Sequence, residues 1–170
     1  AIIMFVAFII VFSEGMSGKI TGILMGLGGI GVLIAIVTSG YRMKRFISFI
    51  NPWKYATDEG YQLVHSLYAI GTGGLFGVGL GNSKQKALYM PEPHNDFIFA
   101  IICEELGLIG AIIIISVFLV LIVAGINVAM RAKDKYGRLL ATGIISVIAV
   151  QVVINIAVVT GSMPVTGVPL

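Results

Sequence analysis

The apolar run from Phe97 to Met130 is the feature that most constrains how this chain can fold. From Leu106 to Met130 it contains no charged residue. A helix needs about 20 consecutive apolar residues to cross the hydrocarbon core of a bilayer, and this run exceeds that length. The composition agrees, because 58% of the residues are hydrophobic and 11% are charged, whereas soluble domains carry about 25% charged residues. The sequence therefore predicts an integral membrane protein.

Five apolar segments are predicted to be membrane-spanning helices. The predicted fold class is therefore an all-α integral membrane protein, a polytopic helical bundle within a single membrane domain. The first segment is short for a span, so we expect it to be the end of a helix that begins before this sequence. The third ends in several glycines, which favours a broken helix or a close approach to another backbone. The predicted spans are about 1–12, 20–39, 61–80, 97–130 and 139–160.

Basic residues cluster in two loops, and their positions predict the orientation of the chain. One loop contains Arg42, Lys44, Arg45 and Lys54, and the other contains Arg131, Lys133, Lys135 and Arg138. Two predicted spans separate these loops, so both are expected on the same face, which the positive-inside rule makes cytoplasmic. The polar segments 13–18, 81–96 and 161–170 are then expected outside.

The segment 81–96 is the longest polar stretch in the chain, and it lies directly before an apolar run. Titratable groups beside a membrane span are costly and often mark functional sites. If the chain is helical from Phe97 onward, Glu104 lies about 12 Å along the helix axis from Asp96 and about 80° around it. These two carboxylates are therefore expected to share a cavity, whereas Glu105 is expected to pair with another helix or to lie at the interface. The candidate site residues are Lys84, Lys86, Glu92, His94, Asp96 and Glu104.

Each candidate also has a purely structural interpretation. Asp96 can cap the helix that follows it, and Lys84 and Lys86 can be solvated loop lysines. The single Cys103 cannot form an internal disulfide. No cysteine or second histidine lies at metal-ligand spacing from His94, so the sequence does not support a zinc site. Metal ligands remain unassigned, and no nucleic-acid partner is predicted.

The polar segment and its surroundings contain several short motifs. They are Gly79-Leu80-Gly81-Asn82-Ser83, Gln85-Lys86, Pro91-Glu92, His94-x-Asp96-Phe97-Ile98-Phe99-Ala100, Glu104-Glu105-Leu106-Gly107 and Pro164-x-Thr166-Gly167-x-Pro169-Leu170. These motifs resemble those of the SEDS family (shape, elongation, division and sporulation proteins), which includes FtsW, RodA and SpoVE. The first motif, together with Gln85-Lys86, is most similar to the FtsW/SpoVE branch. One departure is Asn95, where the family usually has threonine.

The resemblance implies a ten-helix glycosyltransferase of the bacterial cytoplasmic membrane that polymerises lipid II into peptidoglycan glycan strands. It implies that Asp96 is the catalytic aspartate, in an outer loop between the seventh and eighth helices. The spans predicted here would be the fifth to ninth, so we expect the first four helices and the tenth to lie outside this sequence. The implied partners are lipid II, a class B penicillin-binding protein and other division or elongation proteins.

A mechanism follows from these assignments. Asp96 would act as the base for a sugar hydroxyl, because apolar neighbours favour a raised carboxylate pKa. Lys84, Lys86 or a divalent cation (Mg²⁺ or Mn²⁺) would neutralise the leaving diphosphate, and Glu92 or Glu104 would hold that cation or orient a lysine. Two alternatives stay open, a lipid II flippase or transporter and a non-catalytic scaffold of the division machinery. The choice among division, elongation and sporulation also stays open.

Overall fold

A computed structural model describes residues 2–13, 18–58, 60–83, 85 and 97–165, and the regular secondary structure in these ranges is entirely helical. The all-helical fold class predicted from the sequence is therefore confirmed. A short 3-10 turn at Pro52–Tyr55 follows the third helix. The α-helices whose bounds lie within these ranges are α1 (Ile2–Ser13), α2 (Gly18–Thr38), α3 (Gly40–Ile50), α4 (Tyr61–Gly73), α5 (Ile98–Arg131) and α6 (Lys135–Val159).

Helices α5 and α6 are long and apolar enough to cross a membrane, judged by length and composition. Many large apolar side chains of α5 are exposed, including Ile113 at 57%, Val117 at 62% and Val120 at 67%. In water these side chains would form a large apolar patch of the kind that marks an interaction or membrane surface. This exposure is what a helix that faces lipid or further helices requires. The total number of spans stays a prediction.

Helix α4 is shorter than the sequence predicted. It has 13 residues, about 20 Å at the rise of an α-helix, whereas the hydrocarbon core is about 30 Å thick. The helix ends at Gly73, and Gly74 then adopts a positive φ of 55°, a conformation that glycine reaches without steric cost. Within the predicted span 61–80 the helix therefore extends only to Gly73, and the break that its glycines suggested begins at residue 74.

The structure divides into two compact units. The first comprises Ala1–Lys44 and Ile122–Val150, and the second comprises Arg45–Leu121 and Gln151–Leu170. In the first unit, Gly125 lies against Ile145 and Gly143 lies against Ile10, so that glycine lets the helices approach closely. The second unit has a core of Ala69, Phe97, Phe99, Ala100, Ile101, Cys103, Ala111, Val158 and Val159.

One contact in the second unit contradicts the predicted orientation. Arg45 Nη1 donates a hydrogen bond of 3.1 Å to the carbonyl oxygen of Val165. The orientation derived from charge placed Arg45 inside and the segment 161–170 outside, so those two predictions cannot both be right. The charge argument counted 61–80 as a span, whereas the helix in this segment has 13 residues, fewer than the roughly 20 that cross a bilayer.

Candidate functional site at the break in helix α5

Helix α5 is interrupted at Gly107, which has φ 68° and ψ −167°. An unbroken helix would pair the amide of Leu108 with the carbonyl of Glu104, and that of Ile109 with Glu105. The break opens both of these hydrogen bonds. Within a membrane each freed backbone group needs another partner, since an unsatisfied group costs several kcal/mol.

The segment that follows α4 supplies those partners, and we call residues 74–79 the glycine loop. The carbonyls of Gly74 and Leu75 accept hydrogen bonds from Leu108 and Ile109 at 2.9 and 3.3 Å. The amides of Val78 and Gly79 donate to the carbonyls of Glu104 and Glu105 at 2.9 and 3.0 Å. The glycine loop therefore replaces two helical hydrogen bonds with four bonds between segments.

Glycine is required at this junction because the two backbones nearly touch. A Cβ atom at Gly73 would overlap the carbonyl oxygen of Cys103, and one at Gly77 would overlap that of Glu105. A Cβ atom at Gly107 would overlap the amide nitrogen of Gly77 and lie 2.6 Å from the carbonyl oxygen of Leu75. The expectation that the glycines after α4 mark a close backbone approach is confirmed.

Glu104 lies on the N-terminal side of the break and is only 2% exposed. The hydroxyl of Ser83, itself 5% exposed, donates a hydrogen bond of 2.5 Å to Glu104 Oε2. A carboxylate in an apolar setting is costly unless it is paired or hydrogen-bonded, and this contact supplies such a partner. Of the six candidate site residues, Glu104 is the one that lies within the described ranges.

Two residues beyond Ser83, the chain is attached to a different helix. The side chain of Gln85 meets His65 of α4, with 2.7 Å between Oε1 and Nδ1. The His65 ring packs between Tyr61, at a centroid distance of 4.2 Å, and Tyr68, at 6.0 Å. Since an amide oxygen can only accept, Nδ1 of His65 is the donor in this pair.

Glu105 occupies the next position on α5 and is half-buried. Its Oε1 atom is buried and has no hydrogen-bond partner. The sequence predicted that this carboxylate pairs with another helix or lies at the interface, and that prediction stays open.

The other five candidates, Lys84, Lys86, Glu92, His94 and Asp96, lie outside the described residues. Their roles therefore stay predictions, as does a cavity shared by Asp96 and Glu104. Among the residues that the structure describes, no three His, Cys, Asp or Glu side chains are grouped so as to hold a metal ion.

The sequence missed Ser83, Gln85 and His65 as residues that anchor this site. Ser83 and Gln85 entered the sequence analysis only as residues of the family motifs. Their contacts join residues about 20 positions apart in the chain. The one hint was that two polar side chains occupy alternate positions at the start of the most polar stretch of an apolar chain.

The chain is similar to known proteins. The model of the FtsW/RodA/SpoVE family, described as "Cell cycle protein", matches residues 1–170. The chain belongs to this family. Membership, together with the two helices of spanning length, makes it a membrane protein, as the sequence predicted.

The similar proteins include "Stage V sporulation protein E" of Bacillus subtilis (strain 168). That protein is 53% identical over 149 residues, which are 87% of this chain and 41% of the relative. "Probable peptidoglycan glycosyltransferase FtsW" of Geobacter sp. (strain M18) is 44% identical over 167 residues, 97% of this chain and 45% of that protein. The chain thus spans less than half the length of the curated relatives it matches.

A solved structure shares the fold. It is reported as "Structural coordination of polymerization and crosslinking by a peptidoglycan synthase complex" and matches with a TM-score of 0.71 at 23% identity. The match covers 99% of this chain and 46% of that chain. At this level of identity the similarity shows the fold alone.

Proposed function

We propose that the protein to which this chain belongs is a peptidoglycan glycosyltransferase that polymerises lipid II into glycan strands. The observation that carries the proposal is the match of the whole chain to a family whose similar members bear that name. The helix break supports it, because it attaches the start of the polar segment 84–96 to two helices beside an apolar core.

Asp96 is assigned as the general base. It removes the proton from the sugar 4-hydroxyl of the acceptor, and the oxygen then attacks the anomeric carbon of the donor. The bond from that carbon to the lipid diphosphate breaks, and the diphosphate leaves with the electron pair. Asp96 directly precedes the buried Phe97 in the sequence, and a carboxylate can act as a general base toward a hydroxyl group.

Lys84 and Lys86 are assigned to the leaving diphosphate as positive charges, and His94 and Glu92 are assigned to substrate binding. A divalent cation held by Glu92 is an alternative way to neutralise the diphosphate. A class B penicillin-binding protein is the proposed partner, since the structure with the same fold is reported as a synthase complex that coordinates polymerisation and crosslinking.

We also propose a revised orientation. If α4 does not cross the bilayer, the chain stays on one face from α3 to the start of α5. The segment 84–96, Arg45 and Val165 then all lie outside, which agrees with the hydrogen bond between Arg45 and Val165. Arg131, Lys133, Lys135 and Arg138 remain inside, in line with the positive-inside rule, whereas the basic cluster that includes Arg45 then lies outside against that rule.

The decisive experiment uses the full-length protein with its partner in lipid nanodiscs, supplied with lipid II. We expect glycan polymer from the wild type, and a loss of roughly 10²–10⁴ in rate for Asp96→Asn. Asparagine caps a helix about as well as aspartate, so the thermal stability of this variant should be unchanged. Near-normal activity would leave Asp96 as a cap and would redirect the search for the base to Glu92.

The broken helix also favours a second candidate function, because discontinuous helices form the binding sites of many transporters. The same preparation distinguishes the two. Movement of labelled lipid II between leaflets without polymer formation would indicate a flippase, whereas polymer that appears only with intact Asp96 indicates the glycosyltransferase.

A further inference from the structure

We infer that Glu104 is a positioning residue, which fixes the start of the segment 84–96 through Ser83 and does not bind substrate itself. The effect on catalysis rests on the proposed function, because the segment contains the assigned base Asp96. The attachment of the start of this segment rests on the described hydrogen bonds alone.

Glu104 holds the chain that leads into this segment at two points. Its backbone carbonyl accepts the amide of Val78 at 2.9 Å, and its carboxylate accepts the hydroxyl of Ser83 at 2.5 Å. One residue of α5 therefore binds both the glycine loop and the last residue before the polar segment. The Glu104 side chain therefore already has a partner within the protein, and because it is only 2% exposed it offers little surface to a ligand.

A second attachment follows two residues later. Gln85 is bound to His65 of α4 through the 2.7 Å contact described above, and the ring of His65 is in turn packed against Tyr61. Ser83 and Gln85 thus contact two different helices, α5 and α4, and Lys84 lies between them in the sequence.

The two attachments form a clamp, which we define as the pairs Ser83–Glu104 and Gln85–His65. At the other end of the polar segment, Phe97 is 2% exposed and belongs to the core of the second unit. Both ends of the segment are thus fixed to described structure. In reactions that depend on orientation, a displacement of about 1 Å can lower the rate about a hundredfold.

The test compares Ser83→Ala, Glu104→Ala, Glu104→Gln and the double variant Ser83→Ala/Glu104→Ala in the full-length protein with its partner. Ser116→Ala is the matched control, because the hydroxyl of Ser116 in α5 also donates a hydrogen bond to an oxygen atom, the carbonyl of Ile112. With lipid II varied, Ser83→Ala and Glu104→Ala should each lower kcat roughly 10–100-fold with little change in KM. Glu104→Gln keeps an oxygen that accepts from Ser83, so it should retain most of the activity.

The losses in the double variant should be clearly less than additive, because both single variants remove the same contact. A rise in KM with kcat maintained, or additive losses in the double variant, would overturn the inference and return Glu104 to substrate binding. Equal losses for Glu104→Gln and Glu104→Ala would do the same, since they would make the charge the essential property.

Hydrogen exchange supplies a readout that needs no activity. In Ser83→Ala and Glu104→Ala, the amides of Val78 and Gly79 should exchange about tenfold faster than in the wild type, whereas Ser116→Ala should leave them unchanged. Unchanged exchange in all variants would refute the clamp. If these variants exchange faster but the wild-type protein makes no glycan polymer, the proposed function is refuted and the clamp is supported.

Discussion

Replacing Gly107 with alanine tests the central structural feature, the junction between the glycine loop and α5. If the break is kept, residue 107 must retain φ 68° and ψ −167°, a region essentially confined to glycine that costs on the order of 1–3 kcal/mol for other residues. In addition, the new Cβ atom would overlap the amide nitrogen of Gly77 and crowd the carbonyl of Leu75.

The alternative for this variant is to straighten α5. The two helical hydrogen bonds from Leu108 and Ile109 would then form, but all four bonds to the glycine loop would be lost. The net loss is two hydrogen bonds, or about 1–3 kcal/mol at 0.5–1.5 kcal/mol each. Both outcomes lead to the same conclusion, a loss of at least about 1–3 kcal/mol in the free energy of unfolding.

The assay is thermal unfolding of the full-length protein in lipid nanodiscs, with Gly71→Ala as the matched control. Gly71 lies inside α4 and no atom would lie within 4 Å of an added Cβ, so alanine should be neutral or stabilising by about 0.5–1 kcal/mol. Gly107→Ala should lower the midpoint by several degrees relative to that control. If both variants unfold at the same temperature, the junction is not a stabilising feature of the protein.

Two further predictions concern the polar segment and the orientation. Lys86→Ala should lower polymerisation of lipid II more than Lys133→Ala, because only Lys86 lies in the segment assigned to the diphosphate; equal losses at equal protein levels would remove that role. Thr57→Cys in a Cys103→Ser background should react with an impermeant maleimide on intact cells, whereas Lys133→Cys should not, because the revised orientation places residue 57 outside. Labelling of neither residue would restore the orientation first derived from charge, and labelling of residue 133 would contradict both orientations.

Local sequence features predicted the helices well where length and hydropathy decide the outcome. A long apolar run such as Phe97 to Met130 favours an α-helix, and α5 is found at Ile98–Arg131, with its break at Gly107. The glycines after Tyr61 correctly predicted a close backbone approach. They did not indicate the partner, because the overlap of Gly77 with the carbonyl of Glu105 is a property of two segments and not of either alone.

The contacts of the candidate site were harder to predict, because they too join two separate segments of the chain. Helical geometry placed Glu104 relative to Asp96, but it carried no information on what would meet the carboxylate from outside the helix. Ser83 fills that place because the glycine loop brings the chain back to α5. The two orientations differ in one count, since a helix that ends at Gly73 and does not cross the bilayer moves the loop with Arg45 to the outside and leaves the later loops where they were predicted.

The exchange of backbone hydrogen bonds at the break also limits where residues can be inserted or deleted. The carbonyls of Gly74 and Leu75 and the amides of Val78 and Gly79 must each reach one fixed partner on α5. One extra residue between positions 75 and 78 would shift the donors relative to the acceptors and mismatch at least two of the four pairs. Loops elsewhere on a protein surface tolerate changes in length, whereas this loop has no free length, so its spacing is as constrained as that of the helix it completes.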